Sequence, residues 1–351
     1  MTRLDDPGLY ALDTEGMLDR VDELGAEMLR AWRDSAEMEL PPGAARATSV
    51  VVAGMGASAT GGDYLAAICD VSAELPVRVV RAYTLPNYVS DRTLVVVSSY
   101  SGETEESLSC YDDAWKRGAA MLVLTTGGKL AERARADGVA VYTFVYPSSP
   151  RAALAHSLAP LLRLGSRLGL CGTDDAEVEQ AAALRTAFAA NHGRAVPTAT
   201  NPAKQLAQEL HSRIPLVFGA EHLAPVASRF KNQVAENGKA LGAADALPEA
   251  NHNLIVGLST GEAAARSLSL VTLESALYDQ RTQRRFEVTA QLFEGTGVPV
   301  HRLQVQGTTL LDQLLLGTAW GDYASVYLAL LNGQDPTPVP QIVRLKEALA
   351  N

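Results

Sequence analysis

Short apolar segments alternate with helical segments between residues 49 and 146, and this alternation limits the possible folds more than any other feature. We predict strands for SVVVAGMG, PVRVVRA, RTLVVVSSYSG, AMLVLTTGG and GVAVYTFV, and helices for GGDYLAAICD and TEESLSCYDDAWKRGA. Strands that are apolar along their whole length lie in parallel sheets whose two faces are covered by helices. The pattern therefore predicts an α/β fold with a doubly wound parallel sheet and right-handed crossovers.

A similar alternation resumes after residue 200. We predict strands for RIPLVFGA, HNLIVGL, SLSLVTL and VPVHRLQV, and long helices for LAPVASRFKNQVAENGKA and DQLLLGTAWGDYASVYLALLNG. The chain thus has the pattern of two tandem doubly wound α/β domains with helical arms, although no strong sequence repeat is visible. We predict an N-terminal helical arm at 1–44, a first domain at 45–147, a helical connector at 148–200 and a second domain with a C-terminal helix at 201–351.

The composition indicates an ordinary globular protein and argues against several partners. The chain has 351 residues, of which 47% are hydrophobic, and its net charge of −10 disfavours binding to nucleic acid or to an anionic membrane. No apolar run approaches about 18 residues, and the first residues lack a signal-peptide pattern, so we expect a cytoplasmic protein. Cys69, Cys110 and Cys171 are far apart, which suits a reducing compartment and buried or inert thiols.

Two of the predicted strands end in segments rich in glycine and hydroxyl side chains. GMGASATGGD, residues 54–63, follows the first strand, and SSYSGETEE follows the third. Ligands of doubly wound sheets bind at the carboxyl ends of the strands, and each segment leads into a helix whose N-terminal amides attract anions. No lysine of a Walker motif follows, and Ala59 stands where a dinucleotide-binding motif has its third glycine. Both observations argue against a dinucleotide as the ligand. We therefore predict a site for a phosphate monoester of a sugar or other polyol. The alternative is that Ser98, Ser99 and Ser101 simply cap a helix.

The chain resembles the bifunctional phosphoglucose/phosphomannose isomerases of archaea and some bacteria, a metal-free branch of the phosphoglucose isomerase superfamily built from sugar isomerase (SIS) domains. The resemblance covers nearly the full length, and its most specific segments are SYSGETEE, PSSPRAALAHSL, FKNQVAENGKA, LPEANHNLIVG and YLALLNGQDPTPVPQIVRLKEAL. It implies two tandem SIS-type domains and interconversion of glucose 6-phosphate or mannose 6-phosphate with fructose 6-phosphate through a cis-enediol. It also implies a homodimer with shared active sites and no cofactor.

The resemblance assigns catalytic roles to four residues of the chain. It implies that Glu236 is the base that carries the proton between C1 and C2. It implies that His252, donated by the neighbouring subunit, and Lys346 open the sugar ring. Arg151 would stabilise the developing charge of the enediol. Without the resemblance, a helix carboxylate, a loop histidine and a lysine near a C-terminus are most often solvated side chains.

The resemblance also implies which residues hold the substrate. Thr337 would leave room for rotation about C2–C3, which presents the mannose epimer to the same base. Gly56 would contribute to substrate binding. The positions that match phosphate-binding residues are Ser58, Ser99, Ser101 and Thr104. The other histidines lack the spacing of metal ligands, so we predict no metal.

Two positions depart from the family pattern. Glu103 stands where the family usually has Asn, and a carboxylate beside a bound phosphate repels it unless it faces solvent or pairs with a cation. Leu254 stands where the family usually has an acid, next to the segment that carries His252. These departures leave open a phosphosugar-binding or regulatory protein with little or no turnover, or an enzyme for another sugar phosphate. Retention of the base, both ring-opening groups and the arginine favours the isomerase.

Overall fold

The computed structural model describes residues 3–349, with the exception of the side chain of Thr260. The chain forms two compact units: a middle unit, Leu24–Ala183, and a terminal unit made of the segments on either side of it. The divisions between them fall within the first and sixth α-helices, and each unit is described separately below. The division into four segments predicted from the sequence stays a prediction.

The elements from the N-terminus to the end of the sixth helix alternate between helices and strands. In chain order they are α1 Met17–Asp34, β1 Ser49–Gly54, α2 Gly56–Cys69, β2 Val77–Val80, β3 Thr93–Ser99, α3 Glu105–Lys116, β4 Ala120–Thr125, α4 Gly128–Ala136, β5 Ala140–Thr143, α5 Leu154–Arg167 and α6 Asp175–His192.

The middle unit contains a five-stranded sheet in the order β2-β1-β3-β4-β5, with every pair parallel. Every residue of β3, TLVVVSS, is buried, because β-branched side chains pack well on both faces of a covered sheet. The register places Gly54 at the end of β1 beside Ser98 near the end of β3. Strand order changes direction between these two strands, so the predicted doubly wound sheet is confirmed and both marked segments begin at its switch point.

The remaining elements belong to the terminal unit. They are α7 Pro202–Leu210, β6 Ile214–Ala220, α8 Ala224–Glu236, β7 Ala243–Leu247, α9 Glu262–Ser267, β8 Leu268–Glu274, α10 Gln280–Gly295, β9 Val300–Gln304, α11 Leu310–Leu331 and α12 Pro340–Leu349.

The terminal unit contains a second parallel sheet, in the order β7-β6-β8-β9. Helices α8 and α11 pack against each other beside it. By length and composition α11 could cross a membrane, with a mean hydropathy of 1.3, but 94% of that apolar window is buried within the protein. We therefore interpret α11 as the central core helix of this unit.

One strand predicted in the second half is wrong. HNLIVGL contains no strand: Leu254–Thr260 is a 3-10 helix, and the fourth strand of the sheet is β7, AADAL. The Asn253 side chain accepts a hydrogen bond from the Leu254 amide at 2.6 Å, which favours a turn over a ladder. Alanine and aspartate have low strand propensity, so β7 gave no signal in the sequence, and it forms as an edge strand paired with β6.

The three cysteines are free and buried, as predicted. Burial raises the pKa of Cys69 to about 12 and that of Cys110 to about 11. Burial raises the pKa of Cys171 as well. A thiol reacts as its thiolate, so these side chains are inert at neutral pH.

Candidate active site

The two hydroxyl-rich segments of the middle unit are joined by a hydrogen bond. The Tyr100 amide, directly after β3, donates to Ser58 Oγ in the first turn of α2 at 3.1 Å. Gly56 begins α2 with a φ of +50°, a left-handed conformation that glycine adopts without strain. The backbone of both segments therefore converges at the carboxyl edge of the first sheet.

The loop between β3 and α3 is held by its own hydroxyl groups. Ser99 Oγ donates to Thr104 Oγ1 at 3.0 Å and accepts from the Gly102 amide at 3.2 Å. Ser101 Oγ accepts from the Glu103 amide at 3.2 Å. Gly102 has a φ of +68°, and a Cβ there would meet Gly127 O at 1.9 Å, so this tight loop requires glycine. We call residues 99–104 the hydroxyl loop.

The helices that follow the two segments begin without a side-chain cap. In the described structure, α2 and α3 have Met55 and Thr104 as N-cap residues, and neither side chain makes a capping hydrogen bond. By contrast, side chains cap the N-termini of α7, α10 and α11. The alternative that the serines simply cap α3 therefore does not describe the hydrogen bonds observed. Uncapped first-turn amides are the groups that bind an anion at a helix N-terminus.

Glu103 pairs with a cation at the start of α4. Its Oε2 lies 2.9 Å from Lys129 Nζ, and its Oε1 accepts from the Lys129 amide at 2.9 Å. Hydrogen bonds from Lys129 lower the pKa of the Glu103 carboxyl, which keeps it ionised. The carboxylate thus accepts a hydrogen bond at the N-terminus of α4, and Lys129 pairs its charge. Because its charge is paired, Glu103 is compatible with a phosphate at the hydroxyl loop, although the family usually has Asn at this position.

Arg151 is buried in the same unit, with 3% of its surface exposed. It lies in the 3-10 helix Pro150–Ala152, which packs against α2. Tyr100, within the hydroxyl loop, donates through its hydroxyl to Ser148 O at 2.9 Å and to Tyr146 O, so the loop is attached to the segment that leads to Arg151. One small cavity has lining residues from both sides, namely Ser58, Ser98, Tyr100, Pro150 and Ala153.

In the terminal unit, Glu236 and Thr337 belong to segments that one side chain connects. Lys239 Nζ donates to Glu236 O, to Pro336 O at 2.9 Å and to Pro338 O at 2.7 Å. Glu236 is half-buried at the end of α8, and Thr337 is 7% exposed in the loop after α11. The residues predicted for proton transfer and for substrate rotation are therefore on adjoining segments of this unit.

A buried polar network fixes the helix that carries Glu236. Arg229 Nη2 lies 3.0 Å from Asp322 Oδ1 of α11, and Gln233 Nε2 donates to the same oxygen at 2.7 Å. One residue beyond Glu236, Asn237 Nδ2 donates to Ser325 Oγ at 3.0 Å. Buried charges and amides that satisfy each other stabilise one packing arrangement, so the end of α8 has a defined position.

His252 and Glu236 lie at opposite ends of the strands of the second sheet. Helix α8 leaves the carboxyl end of β6 and returns antiparallel to the strands, so Glu236 is near the amino end of β7, and His252 follows its carboxyl end. A strand of five residues spans roughly 15 Å. The His252 side chain is exposed, and its neighbour Asn251 is fixed by Thr289 at 2.9 Å. The fold of one chain therefore separates these two predicted catalytic groups.

Lys346 is exposed on α12, a helix without buried residues over its described length. Ile342, Val343, Leu345 and Leu349 of this helix are 41 to 62% exposed. The structure thus groups Gly56, the four hydroxyl residues and Arg151 in the middle unit, and Glu236 with Thr337 in the terminal unit. It leaves His252 and Lys346 on the surface of the terminal unit.

Sequence reasoning missed Lys239 and Tyr100, although both lie inside segments singled out for the resemblance. Their partners are distant in the sequence: Pro336 is 97 residues from Lys239, and Ser148 is 48 residues from Tyr100. Their residue types gave a weak signal, because a lysine after a helix and a tyrosine after a strand are common.

Comparison with known proteins identifies the family. The SIS domain family matches residues 45–163, and the bacterial phospho-glucose isomerase C-terminal SIS domain matches residues 199–349. A bifunctional phosphoglucose/phosphomannose isomerase of Caldicellulosiruptor bescii is 36% identical over 95% of this chain and 99% of its own length. The protein of the same name from Aquifex aeolicus is 33% identical over 91% of this chain and 94% of its own length.

A solved structure agrees on the fold. The glucose-6-phosphate isomerase like protein from Thermus thermophilus superimposes with a TM-score of 0.67 at 19% identity, covering 99% of both chains. The prediction of two tandem SIS-type domains is thereby confirmed. From the identity to its relatives and the length over which it extends, the chain belongs to the family of bifunctional phosphoglucose/phosphomannose isomerases.

Proposed function

We propose that this protein is a phosphosugar isomerase that interconverts glucose 6-phosphate and mannose 6-phosphate with fructose 6-phosphate. The observation that carries the proposal is the hydroxyl loop. It presents neutral donors beside the uncapped N-terminus of α3, and its one carboxylate, Glu103, is paired with Lys129. In a chain with a net charge of −10, such local donors hold a phosphate without help from the overall field.

The remaining residues supply the proton transfers that an aldose–ketose isomerisation needs. We assign ring opening to His252 and Lys346. Glu236 then removes the C2 proton of the open aldose, which forms the C1–C2 double bond of the cis-enediol and places the negative charge on O1. The O2 proton passes to O1, and return of the carried proton to C1 gives the ketose with its carbonyl at C2. Arg151 stabilises the negative charge on the enediol oxygens. The electrons stay within the substrate, so the reaction requires no cofactor.

Thr337 is assigned to the second activity. Rotation of the enediol about C2–C3 presents its other face to Glu236, and protonation at C2 on that face gives the mannose epimer. The amide of this threonine donates to Asp335 Oδ1 at 2.9 Å. A fixed loop next to the end of α8 suits a residue that must leave a defined space.

We further propose a homodimer in which His252 acts in the site of the partner subunit. Two observations support this. His252 and Glu236 lie at opposite ends of the strands of the same sheet, so the fold of one chain does not favour their acting together. The exposed apolar side chains of α12, beside Lys346, suit burial against a second copy. A cytoplasmic location is proposed as well, since three free, buried thiols suit a reducing compartment.

The direct test is a coupled assay of the purified protein with fructose 6-phosphate that follows both aldose phosphates. We expect both products, and calorimetry should show binding of a non-reacting analogue with the same protein preparation. Binding without either product would favour the phosphosugar-binding alternative. A protein that neither binds the analogue nor forms a product would contradict the proposal as a whole.

Shared sites predict complementation between two inactive variants. Glu236→Gln and His252→Ala homodimers should each be inactive, whereas a mixed dimer retains one complete site of its two. Random exchange makes about half of the dimers mixed, so about a quarter of the wild-type activity should return. Mass spectrometry of differently tagged chains establishes the mixing. Inactive preparations that contain mixed dimers would place both residues in the site of one subunit.

A further inference from the structure

We infer that Lys239 is a positioning residue that fixes the end of α8, and with it Glu236, against the loop of residues 335–339 that carries Thr337. The inference deepens the proposed function and rests on it, since it concerns the geometry in which Glu236 meets the two faces of the enediol. Lys239 is not assigned contact with the substrate.

The hydrogen bonds of Lys239 show what its side chain does. An ammonium group has three donors. In Lys239 they reach three backbone carbonyls: Glu236 O at the end of α8, Pro336 O and Pro338 O. The two proline carbonyls flank Thr337 on both sides. The side chain thereby connects the backbone of the predicted base to the backbone on either side of the predicted rotation residue.

The backbone of Lys239 is a second, independent observation. Its φ is +52°, a left-handed conformation that is uncommon for residues other than glycine. The Ala240 amide donates to Val234 O at 3.2 Å, which closes a turn of seven residues at the end of α8. Glycine is the residue that adopts the left-handed conformation without strain. Lysine at this position is a backbone outlier, and its side chain provides the reason for it.

The loop on the other side is held as well, so the lysine connects two defined segments. Asp335 Oδ1 accepts from the Thr337 amide at 2.9 Å, and Asp335 Oδ2 accepts from Thr14 Oγ1 at 2.5 Å. Asn332 Nδ2 donates to Gly238 O at 2.8 Å, next to Lys239. With Lys239 removed, the end of α8 keeps its buried network, but the spacing between Glu236 and Thr337 loses its direct link.

A misplacement of about 1 Å at a catalytic group costs on the order of 10²-fold in rate, so the link matters for turnover more than for binding. The ratio of the two products should also change, because protonation of one enediol face requires the space that Thr337 leaves. Substrate grip at the hydroxyl loop, in the other unit, does not depend on Lys239.

The test compares Lys239→Gly, Lys239→Arg and the control Lys116→Gly, which removes an exposed lysine at the end of α3. Lys239→Gly removes the ammonium group but favours the left-handed backbone conformation. The variant therefore separates the effect of the side chain from the effect of the turn. We expect kcat to fall about tenfold or more, KM to stay within roughly threefold, and the ratio of glucose to mannose phosphate to shift. Lys239→Arg should recover part of kcat, and Lys116→Gly should match the wild type.

Hydrogen exchange of the amides of Asp335, Thr337 and Val339 gives a readout that does not depend on turnover. We expect faster exchange in Lys239→Gly and wild-type exchange in the control. An active wild type together with unchanged kcat, product ratio and exchange in Lys239→Gly would overturn the inference. A fall in kcat that follows thermal stability, with an unchanged product ratio, would also overturn it. A wild type without isomerase activity would instead contradict the proposed function, and the exchange data would still decide whether Lys239 links the two segments.

Discussion

The carboxyl edges of the two sheets have the same topology but opposite chemistry. In the middle unit, the helix after β3 begins without a side-chain cap beside the hydroxyl loop. In the terminal unit, the corresponding helix is α10, after β8, and a carboxylate already occupies its N-terminus. Glu221 Oε1, from the segment after β6, accepts from the Asp279 amide at 3.1 Å, and Asp279 caps the first turn of α10. The N-terminus of α10 thus has side-chain acceptors from its own unit, whereas that of α3 has none among the described residues.

Glu274 completes the contrast. It is buried at the end of β8, and its oxygens accept from Arg302 Nε and Nη2, each at 2.7 Å, from Gln304 Nε2 at 2.6 Å and from Thr272 Oγ1 at 2.8 Å. Glu274 therefore already takes up the donors of Arg302 and Gln304 that could otherwise hold an anion at this edge. A doubly wound sheet therefore marks where a ligand can bind, and the side chains at its strand ends decide whether one does. The proposed roles differ accordingly: the hydroxyl loop binds the phosphate, and Glu236 transfers the proton.

The largest expected effect separates chemistry from binding. Glu236→Gln keeps the shape of the side chain but removes the base, so kcat should fall on the order of 10²-fold or more. The dissociation constant of a sugar phosphate analogue should stay within about twofold, because the hydroxyl loop lies in the other unit. Coupled assays and calorimetry measure the two quantities.

Glu294→Gln is the matched control for this variant, because Glu294 is also a glutamate near the end of a helix and is exposed. It should retain wild-type activity and binding. Turnover near the wild-type rate in Glu236→Gln would exclude Glu236 as the base.

The converse variant removes binding. Ser101→Ala combined with Thr104→Ala deletes two hydroxyls of the hydroxyl loop, and each lost hydrogen bond to a charged group costs roughly 1.5–3 kcal/mol. If the two losses add, the dissociation constant should rise at least about a hundredfold. Calorimetric titration with a non-reacting analogue measures the change.

The matched control places the same two changes at the other edge. Ser275→Ala combined with Thr308→Ala removes hydroxyls that lie after β8 and β9 of the second sheet. This variant should bind the analogue like the wild type, even where it unfolds at a lower temperature. Unchanged affinity in the Ser101 and Thr104 variant would contradict the phosphate-loop proposal and the contrast between the edges.

The middle unit could be predicted from the sequence because its signals are local. Strand β3 contains the β-branched run VVV, and the loop after it has hydroxyl and glycine residues within a few positions of each other. The terminal unit gave weaker signals. Strand β7 is an alanine-rich edge strand, whereas the more apolar LIVGL segment forms a 3-10 helix. Its pattern of hydrophobicity therefore predicted the wrong strand.

Long-range pairing explains what the sequence did not reveal about the candidate site. The orientation of Glu103 depends on Lys129, which lies 26 residues away at the start of a different helix. The function of Lys239 depends on a loop almost one hundred residues further along the chain. Neither partner can be selected from spacing alone, because several cations and carbonyls lie at comparable distances in the sequence.

A smaller effect is expected when the internal carboxylate of the second edge is neutralised. Glu221→Gln removes a negative charge from the N-terminus of α10, which should lower the free energy of unfolding by roughly 0.3–1 kcal/mol. Urea denaturation measures this change, and Glu294→Gln again serves as the control. Affinity for the sugar phosphate should not change. Tighter binding of inorganic phosphate by Glu221→Gln would show that the second edge is a latent anion site, which would weaken the contrast.

The smallest effect is expected at Glu103. The two edges resemble each other here, because Glu103 lies at the N-terminus of α4 as Glu221 lies at the N-terminus of α10. Glu103→Asn removes a charge that Lys129 already neutralises, so affinity should change by less than about twofold at ordinary salt. Lys129→Met should weaken binding by more, because it leaves Glu103 unpaired beside the phosphate, and the double variant should recover most of the loss. Calorimetry at two salt concentrations measures all three proteins, since low salt strengthens any repulsion. A large gain in affinity for Glu103→Asn at low salt would show that the carboxylate faces the anion and that the first edge, like the second, opposes negative charge.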